Sequence, residues 1–108
     1  MSIGERLLEA RRAHELTHER LAETSGVSSP YLSKIERDRA LPSRTALEAI
    51  VQHFPDDERK GLLAERDKAD LERQGFEPEI VELVYAVQQL DPEDRRAVVA
   101  RVLEHLAA

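Results

Sequence analysis

The stretch that most constrains how this chain can fold is residues 16–37, LTHERLAETSGVSSPYLSKIER. Two short amphipathic segments meet at Gly26, which is free to adopt the positive φ of a tight turn. Thr17 and Ser28 are favoured N-cap residues, and Pro30 falls in the first turn of the second segment, where a missing N–H is tolerated. The stretch therefore predicts two short helices joined by a turn.

The apolar residues of this stretch predict how the two helices pack. The predicted inward positions are Leu21, Ala22, Val27, Leu32 and Ile35. Because Ala22 is small, the helices can approach each other closely. Such a helix-turn-helix typically places its second helix in the major groove of DNA.

The distribution of charge agrees with this interpretation, although the net charge of −6 opposes DNA binding. Residues 1–54 contain 8 basic and 8 acidic residues, whereas residues 55–108 contain 8 basic and 14 acidic residues. All of the acidic excess therefore lies outside the helix-turn-helix. Within the first half, a local basic edge is predicted at Lys34, Arg37, Arg39 and Arg44.

Composition also excludes several classes of protein. The chain has no cysteine, which rules out disulfide and thiolate chemistry. The first residues, MSIGERLLEARR, lack the apolar core of a signal peptide, and no apolar run approaches the ~20 residues of a membrane span. We expect a cytoplasmic protein without a membrane partner.

Helical periodicity continues on both sides of the motif, so the predicted fold class is all-α. A first helix is predicted over residues 3–14, a fourth after the cap Ser43, and a charged fifth helix or helical linker over residues 56–74. Asp91-Pro92 predicts the start of a last helix, which forms a hairpin with the helix before it. The predicted domains are a DNA-binding domain (1–55), a charged helical linker (56–75) and a helical-hairpin dimerisation module (76–108).

The hairpin carries an apolar face that it cannot cover alone. It must pack on the first half of the chain or on a second copy of itself. The predicted dimerisation residues are Ile80, Leu83, Val84, Val87, Val98, Val99, Val102 and Leu106.

The chain resembles the phage-repressor-like helix-turn-helix family, of the Cro/cI or Xre type. The resemblance covers residues 3 to about 54 and rests on IGERLLEARR, YLSKIER and LPSRTALEAI. It implies five short helices, the third of which is the recognition helix. It also implies a sequence-specific regulator, most simply a repressor, that binds a palindromic site on double-stranded DNA as a homodimer.

The resemblance implies roles for individual residues. His18 takes the place of a glutamine that contacts phosphate and braces the recognition helix, and Arg11 with Glu36 matches a structural salt bridge. The implied base-facing residues are Ser29, Pro30 and Lys34. Those implied near phosphates are Ser28, Ser33 and Arg37, and the basic edge adds Arg39. Glu15 and Asp38 stand where glycine, or for Asp38 glycine or asparagine, commonly ends a helix, and both would need left-handed geometry at some cost.

A competing motif lies at residues 14–18, where HELTH matches the H-E-x-x-H of zinc peptidases. That site requires one continuous helix and a third metal ligand. Here Leu16-Thr17 is the expected break between two helices, and nothing marks Glu19, Glu23 or Glu36 as the third ligand. We therefore predict no metal, no cofactor and no enzymatic activity.

A second hypothesis for the function concerns the acidic half of the chain. The protein would then be an antitoxin-type regulator or adaptor whose C-terminal half binds another protein. Residue patterns alone leave this alternative open.

Overall fold

A computed structural model describes residues 1–107, which form seven α-helices and no strand. The helices are α1 (Ile3–Ala13), α2 (His18–Ser25), α3 (Ser29–Glu36), α4 (Arg44–Val51), α5 (Asp56–Arg73), α6 (Pro78–Gln88) and α7 (Pro92–Ala107). The all-α prediction is confirmed. None of these helices is long and apolar enough to cross a membrane.

The chain divides into two compact units, Met1–Asp70 and Leu71–Ala108. The division falls inside α5, so most of this helix belongs to the first unit. The functional roles assigned to residues 1–55, 56–75 and 76–108 remain predictions.

Side-chain hydroxyls begin the first four helices. The N-caps Ser2, Thr17, Ser28 and Ser43 each accept a hydrogen bond from a backbone N–H three residues ahead. The predicted caps at Thr17, Ser28 and Ser43 are therefore confirmed. Each cap satisfies one of the N–H groups that a helix cannot satisfy itself, and so fixes where the helix starts.

Two helices in the first unit end with a non-glycine residue in left-handed geometry. Glu15 (φ 55°) follows α1 and Asp38 (φ 59°) follows α3, as the sequence predicted. At the first end, the N–H of Leu16 donates to the Arg11 carbonyl and that of Glu15 to the Arg12 carbonyl, which is a Schellman motif. The end of α3 repeats this pattern.

The core of the first unit joins all five of its helices. Leu7, Leu21, Leu32 and Ile35 are buried together with residues of α4 and with Leu62 of α5. The predicted inward positions Ala22 and Val27 are half-buried against this core. The packing of the two motif helices therefore follows the sequence prediction.

Polar contacts also attach α5 to the first unit. Arg66 Nε donates to the Pro42 carbonyl at 2.9 Å, and Arg44 pairs with Asp67. These contacts join α5 to the loop before α4 and to the first residue of α4.

The second unit is a helical hairpin with little core of its own. Asp91 Oδ1 accepts from the Asp94 N–H at 2.9 Å and so caps α7, as predicted. Val81 is the buried apolar residue of α6, a position that the predicted stripe omitted. The large apolar residues that remain exposed are Phe76, Ile80, Leu83, Val98, Val99, Val102, Leu103 and Leu106.

Replacing Glu15 with glycine is expected to stabilise the fold. Its left-handed backbone costs an L-residue about 1–2 kcal/mol, part of which the greater entropy of unfolded glycine offsets. We expect Glu15→Gly to raise the free energy of unfolding by about 0.5–1 kcal/mol in urea denaturation.

Asp38→Gly is the matched comparison because it relieves the same geometry. Asp38, however, accepts hydrogen bonds from the Ser2 hydroxyl at 2.6 Å and from the Gly4 N–H at 3.1 Å. Losing both hydrogen bonds should lower the free energy of unfolding by about 1 kcal/mol, even though glycine relieves the left-handed backbone. Equal effects of the two glycine substitutions would contradict this account.

Candidate nucleic-acid interface

The exposed face of α3 carries the residues that the sequence predicted to face DNA. Pro30 and Lys34 are exposed, and Ser29 and Ser33 are half-buried. Ser28 is exposed, but its hydroxyl oxygen already accepts from the Tyr31 N–H at 3.2 Å. The helix therefore presents a small, sparsely polar surface at its start and a cation one turn later.

Three cations follow along this edge of the first unit. Lys34, Arg37 and Arg39 are exposed, and within residues 1–107 none of them forms an ion pair. Arg44, also predicted on this edge, instead pairs with Glu48 and Asp67. Of the four residues of the predicted basic edge, the three that form no ion pair among the described residues therefore lie on the second half of α3 and just after it.

A buried carboxylate holds α3 against the two preceding helices. Glu36 is 8 % exposed, and the Arg11 guanidinium donates to both of its oxygens, from Nε at 2.8 Å and from Nη2 at 2.9 Å. Arg11 Nη1 also donates to the Leu16 carbonyl at 2.8 Å, in the link between α1 and α2. This geometry is that of the structural salt bridge implied for Arg11 and Glu36.

His18 joins the same carboxylate. Its Nε2 lies 3.0 Å from Glu36 Oε1, so Glu36 contacts α1 and α2 while belonging to α3. The family resemblance implied that His18 contacts a phosphate and braces the recognition helix, but it did not identify Glu36 as the partner of His18. No local signal reveals it, because the two residues are 18 positions apart.

The charge of Glu36 is stabilised by its partners. Burial by itself opposes ionisation, but the hydrogen bonds from Arg11 and His18 outweigh it, so the pKa of Glu36 lies below its usual range. The hydrogen bond between Arg11 and Glu36 also raises the pKa of the Arg11 guanidinium. Both groups are therefore charged around neutral pH.

A second set of contacts joins α1 to α3, and no sequence pattern predicted it. Asp38 accepts hydrogen bonds from Ser2 and Gly4 at the start of α1. A Cβ on Gly4 would collide with the Ile35 carbonyl and with the Asp38 carboxylate. The glycine therefore permits the close approach of the two helices.

The residues of the H-E-x-x-H pattern do not lie on one continuous helix, as predicted. His14 follows the end of α1 and His18 begins α2, so no continuous helix carries both. Their Nε2 atoms contact different carboxylates, Glu58 at 2.7 Å and Glu36 at 3.0 Å. The two imidazoles therefore do not form the paired ligands of a zinc peptidase helix.

Comparisons with known proteins point to the first half of the chain. A family model described as a helix-turn-helix domain matches residues 2–60. The immunity repressor protein of Bacillus phage phi105 is 44% identical over 50 residues, which make up 46% of this chain and 35% of that repressor. The matched region thus spans only about a third of this relative. No solved structure matches significantly.

Neutralising Glu36 should destabilise the first unit. Glu36→Gln leaves the mostly buried Arg11 without a counter-charge, and we expect a loss of about 2–3 kcal/mol in the free energy of unfolding near pH 7. Because the pKa of Glu36 is lower in the folded state, its stabilisation is present above the usual carboxyl pKa. That stabilisation disappears as the pH falls through the folded value.

Urea denaturation from about pH 7 to about pH 3 tests this expectation. The gap in stability between the wild type and Glu36→Gln should narrow at the acid end. Glu23→Gln is the control, since the Glu23 side chain is 71 % exposed and its ion-pair partner, Arg20, is exposed as well. A gap that is unchanged over this range would contradict the assignment.

Proposed function

The chain belongs to the helix-turn-helix domain family, its first half is a repressor-like DNA-binding domain, and we propose that it represses transcription by binding a palindromic operator as a homodimer. The observation that carries the DNA-binding surface is the exposed edge formed by Lys34, Arg37 and Arg39, which form no ion pair among the described residues 1–107. The recognition helix in this proposal is α3.

Base reading is assigned to the exposed face of α3. The Lys34 ammonium can donate to guanine O6 or N7, and the Ser29 hydroxyl can donate or accept. Pro30 has no hydrogen bond to offer and can contact a thymine methyl group. The reading surface is therefore chemically simple, and we assign most of its base selectivity to Lys34.

Phosphate contacts position the helix in the groove. Arg37 and Arg39 present guanidinium groups beyond the end of α3, and the half-buried Ser33 and exposed Ser28 lie along the same short helix. His18 begins α2, the helix that crosses the DNA backbone in a helix-turn-helix complex. Phosphate contacts carry little sequence information but contribute much of the affinity.

Dimerisation is assigned to the α6–α7 hairpin, and the partner is a second copy of the chain. Seven large apolar side chains of α6 and α7 are exposed within residues 1–107, and they include the proposed contact residues Ile80, Leu83, Val98, Val99, Val102 and Leu106. Val84 and Val87 are half-buried beside them. Two such hairpins would cover these faces in a four-helix arrangement.

A dimer also compensates for a weak individual site. Each protomer offers few base contacts on α3 and three cations on or just after it that form no ion pair within residues 1–107, so one copy alone should bind weakly. Two copies spaced about one DNA turn apart, ~34 Å, would read both halves of a palindrome. The acidic excess of residues 55–108 opposes DNA contact by that half of the chain.

Replacing Lys34 should affect selectivity, and replacing Arg39 should affect overall affinity. We expect Lys34→Ala to weaken binding to a selected duplex by about 1–3 kcal/mol and to relax the preference at one base pair in each half-site. Arg39→Ala should weaken binding to all duplexes alike. It should also reduce the number of counterions released on binding, measured from the slope of log K against log salt, by about one per protomer.

Fluorescence anisotropy with a duplex selected from a random pool by the full-length chain measures both effects. Lys60→Ala on α5 is the control, because it removes an exposed lysine outside the proposed interface. The proposed surface is wrong if the control weakens binding as much as Lys34→Ala.

The hairpin assignment is tested by placing a charge on its apolar face. Val102 is 51 % exposed on α7, and burying a glutamate there in a dimer should be prohibitive. We expect Val102→Glu to be monomeric by sedimentation equilibrium and to bind the selected duplex at least about tenfold more weakly.

Ala97→Glu is the matched control. Ala97 is exposed on the same helix, but helical spacing puts it opposite the stripe formed by Val98, Val102 and Leu106. It should remain dimeric. A wild-type chain that is monomeric at micromolar concentration would overturn the homodimer and favour the antitoxin-type or adaptor alternative, in which another protein covers this face.

A further inference from the structure

The two ring nitrogens of His18 have different surroundings. Nε2 lies 3.0 Å from Glu36 Oε1, whereas Nδ1 has no hydrogen-bond partner within residues 1–107. The side chain is 32 % exposed at the first residue of α2. One nitrogen is therefore committed to the protein, and the other remains available to a ligand.

The charges around the ring determine which nitrogen carries hydrogen. Glu36 of α3 faces the ring directly, Arg11 of α1 binds the same carboxylate, and Glu19 is the neighbour of His18 on α2. Because the pKa of Glu36 lies below its usual range, its carboxylate is ionised near neutral pH and can only accept hydrogen bonds. The Nε2 atom must therefore be protonated.

A neutral imidazole has only one N–H group. With that hydrogen on Nε2, the Nδ1 atom of neutral His18 presents a lone pair. A DNA phosphodiester oxygen is also only an acceptor, so the two would repel each other. The imidazolium ion instead offers an Nδ1–H donor and a positive charge, and it keeps the Nε2–H bond to Glu36.

We propose that His18 binds a DNA phosphate only as the imidazolium ion, so that each protomer takes up a proton at this residue when the protein binds DNA. Glu36 acts as the positioning residue, because it fixes the hydrogen on Nε2. This inference rests on the proposed function, which puts the start of α2 at the DNA backbone.

Proton uptake makes the affinity for DNA depend on pH. The complex holds one more proton at each His18 than the free protein with a neutral ring, so binding tightens as the pH falls. We expect binding to be about tenfold tighter at about pH 6 than at about pH 8. A glutamine amide can donate to both acceptors at either pH. The affinity of His18→Gln for DNA should therefore differ by less than about twofold between the two pH values.

Anisotropy titrations of the full-length chain with the selected duplex, at fixed ionic strength, test the proposal. His14→Gln is the matched control, because its Nε2 also contacts a carboxylate, that of Glu58 at 2.7 Å. It should keep the pH dependence of the wild type. If His18→Gln keeps that dependence as well, the proposal is overturned although the protein binds DNA. If no variant binds the selected duplex at any pH, the proposed function fails and the proposal fails with it.

A second measurement needs no variant. Nitrogen-15 NMR of the wild-type imidazole rings should show His18 as the Nε2–H tautomer in the free protein at about pH 8 and as the doubly protonated ring in the DNA complex. An Nδ1–H tautomer in the free protein, or a neutral ring in the complex, would overturn the proposal.

Discussion

The arrangement of the first three helices depends on one buried carboxylate. Glu36 belongs to α3 and accepts hydrogen bonds from Arg11 of α1 and His18 of α2. A charge in this position is tolerated only because several donors replace the water it has lost. The helix α3, which is the proposed recognition helix, therefore has a defined orientation relative to α2, which is the geometric requirement of a helix-turn-helix.

A second carboxylate joins α3 to the opposite end of α1. Asp38, just after α3, accepts from Ser2 and Gly4 at the start of α1, and the hydrogen bonds offset the cost of its left-handed backbone. Both carboxylates lie at the C-terminal end of α3. The N-terminal part of the helix, with Ser29 and Pro30, remains uncommitted and available for contact with DNA.

The two units of the chain differ in how much of their apolar surface they bury. The first unit has a continuous core, and side-chain hydroxyls cap the N-terminal ends of its first four helices. The hairpin buries Val81 but leaves a long apolar face exposed. A folded binding domain joined to a hairpin with an uncovered face is the organisation expected of a protein whose activity depends on association.

Sequence alone determined the local features of this protein. The caps Thr17, Ser28, Ser43 and Asp91 and the turn at Gly26 depend on neighbours within about four positions and were predictable for that reason. Helical periodicity predicted the apolar stripes, although the α6 stripe omitted the buried Val81. The left-handed geometry of Glu15 and Asp38 followed from the family resemblance. The DNA-contacting residues, drawn from a family resemblance, stay predictions. Only the tertiary structure joined His18 to Glu36, Asp38 to Gly4 and Arg44 to Asp67. These pairs are 18 to 34 positions apart, and helix packing, not local spacing, decides which side chains meet over such separations.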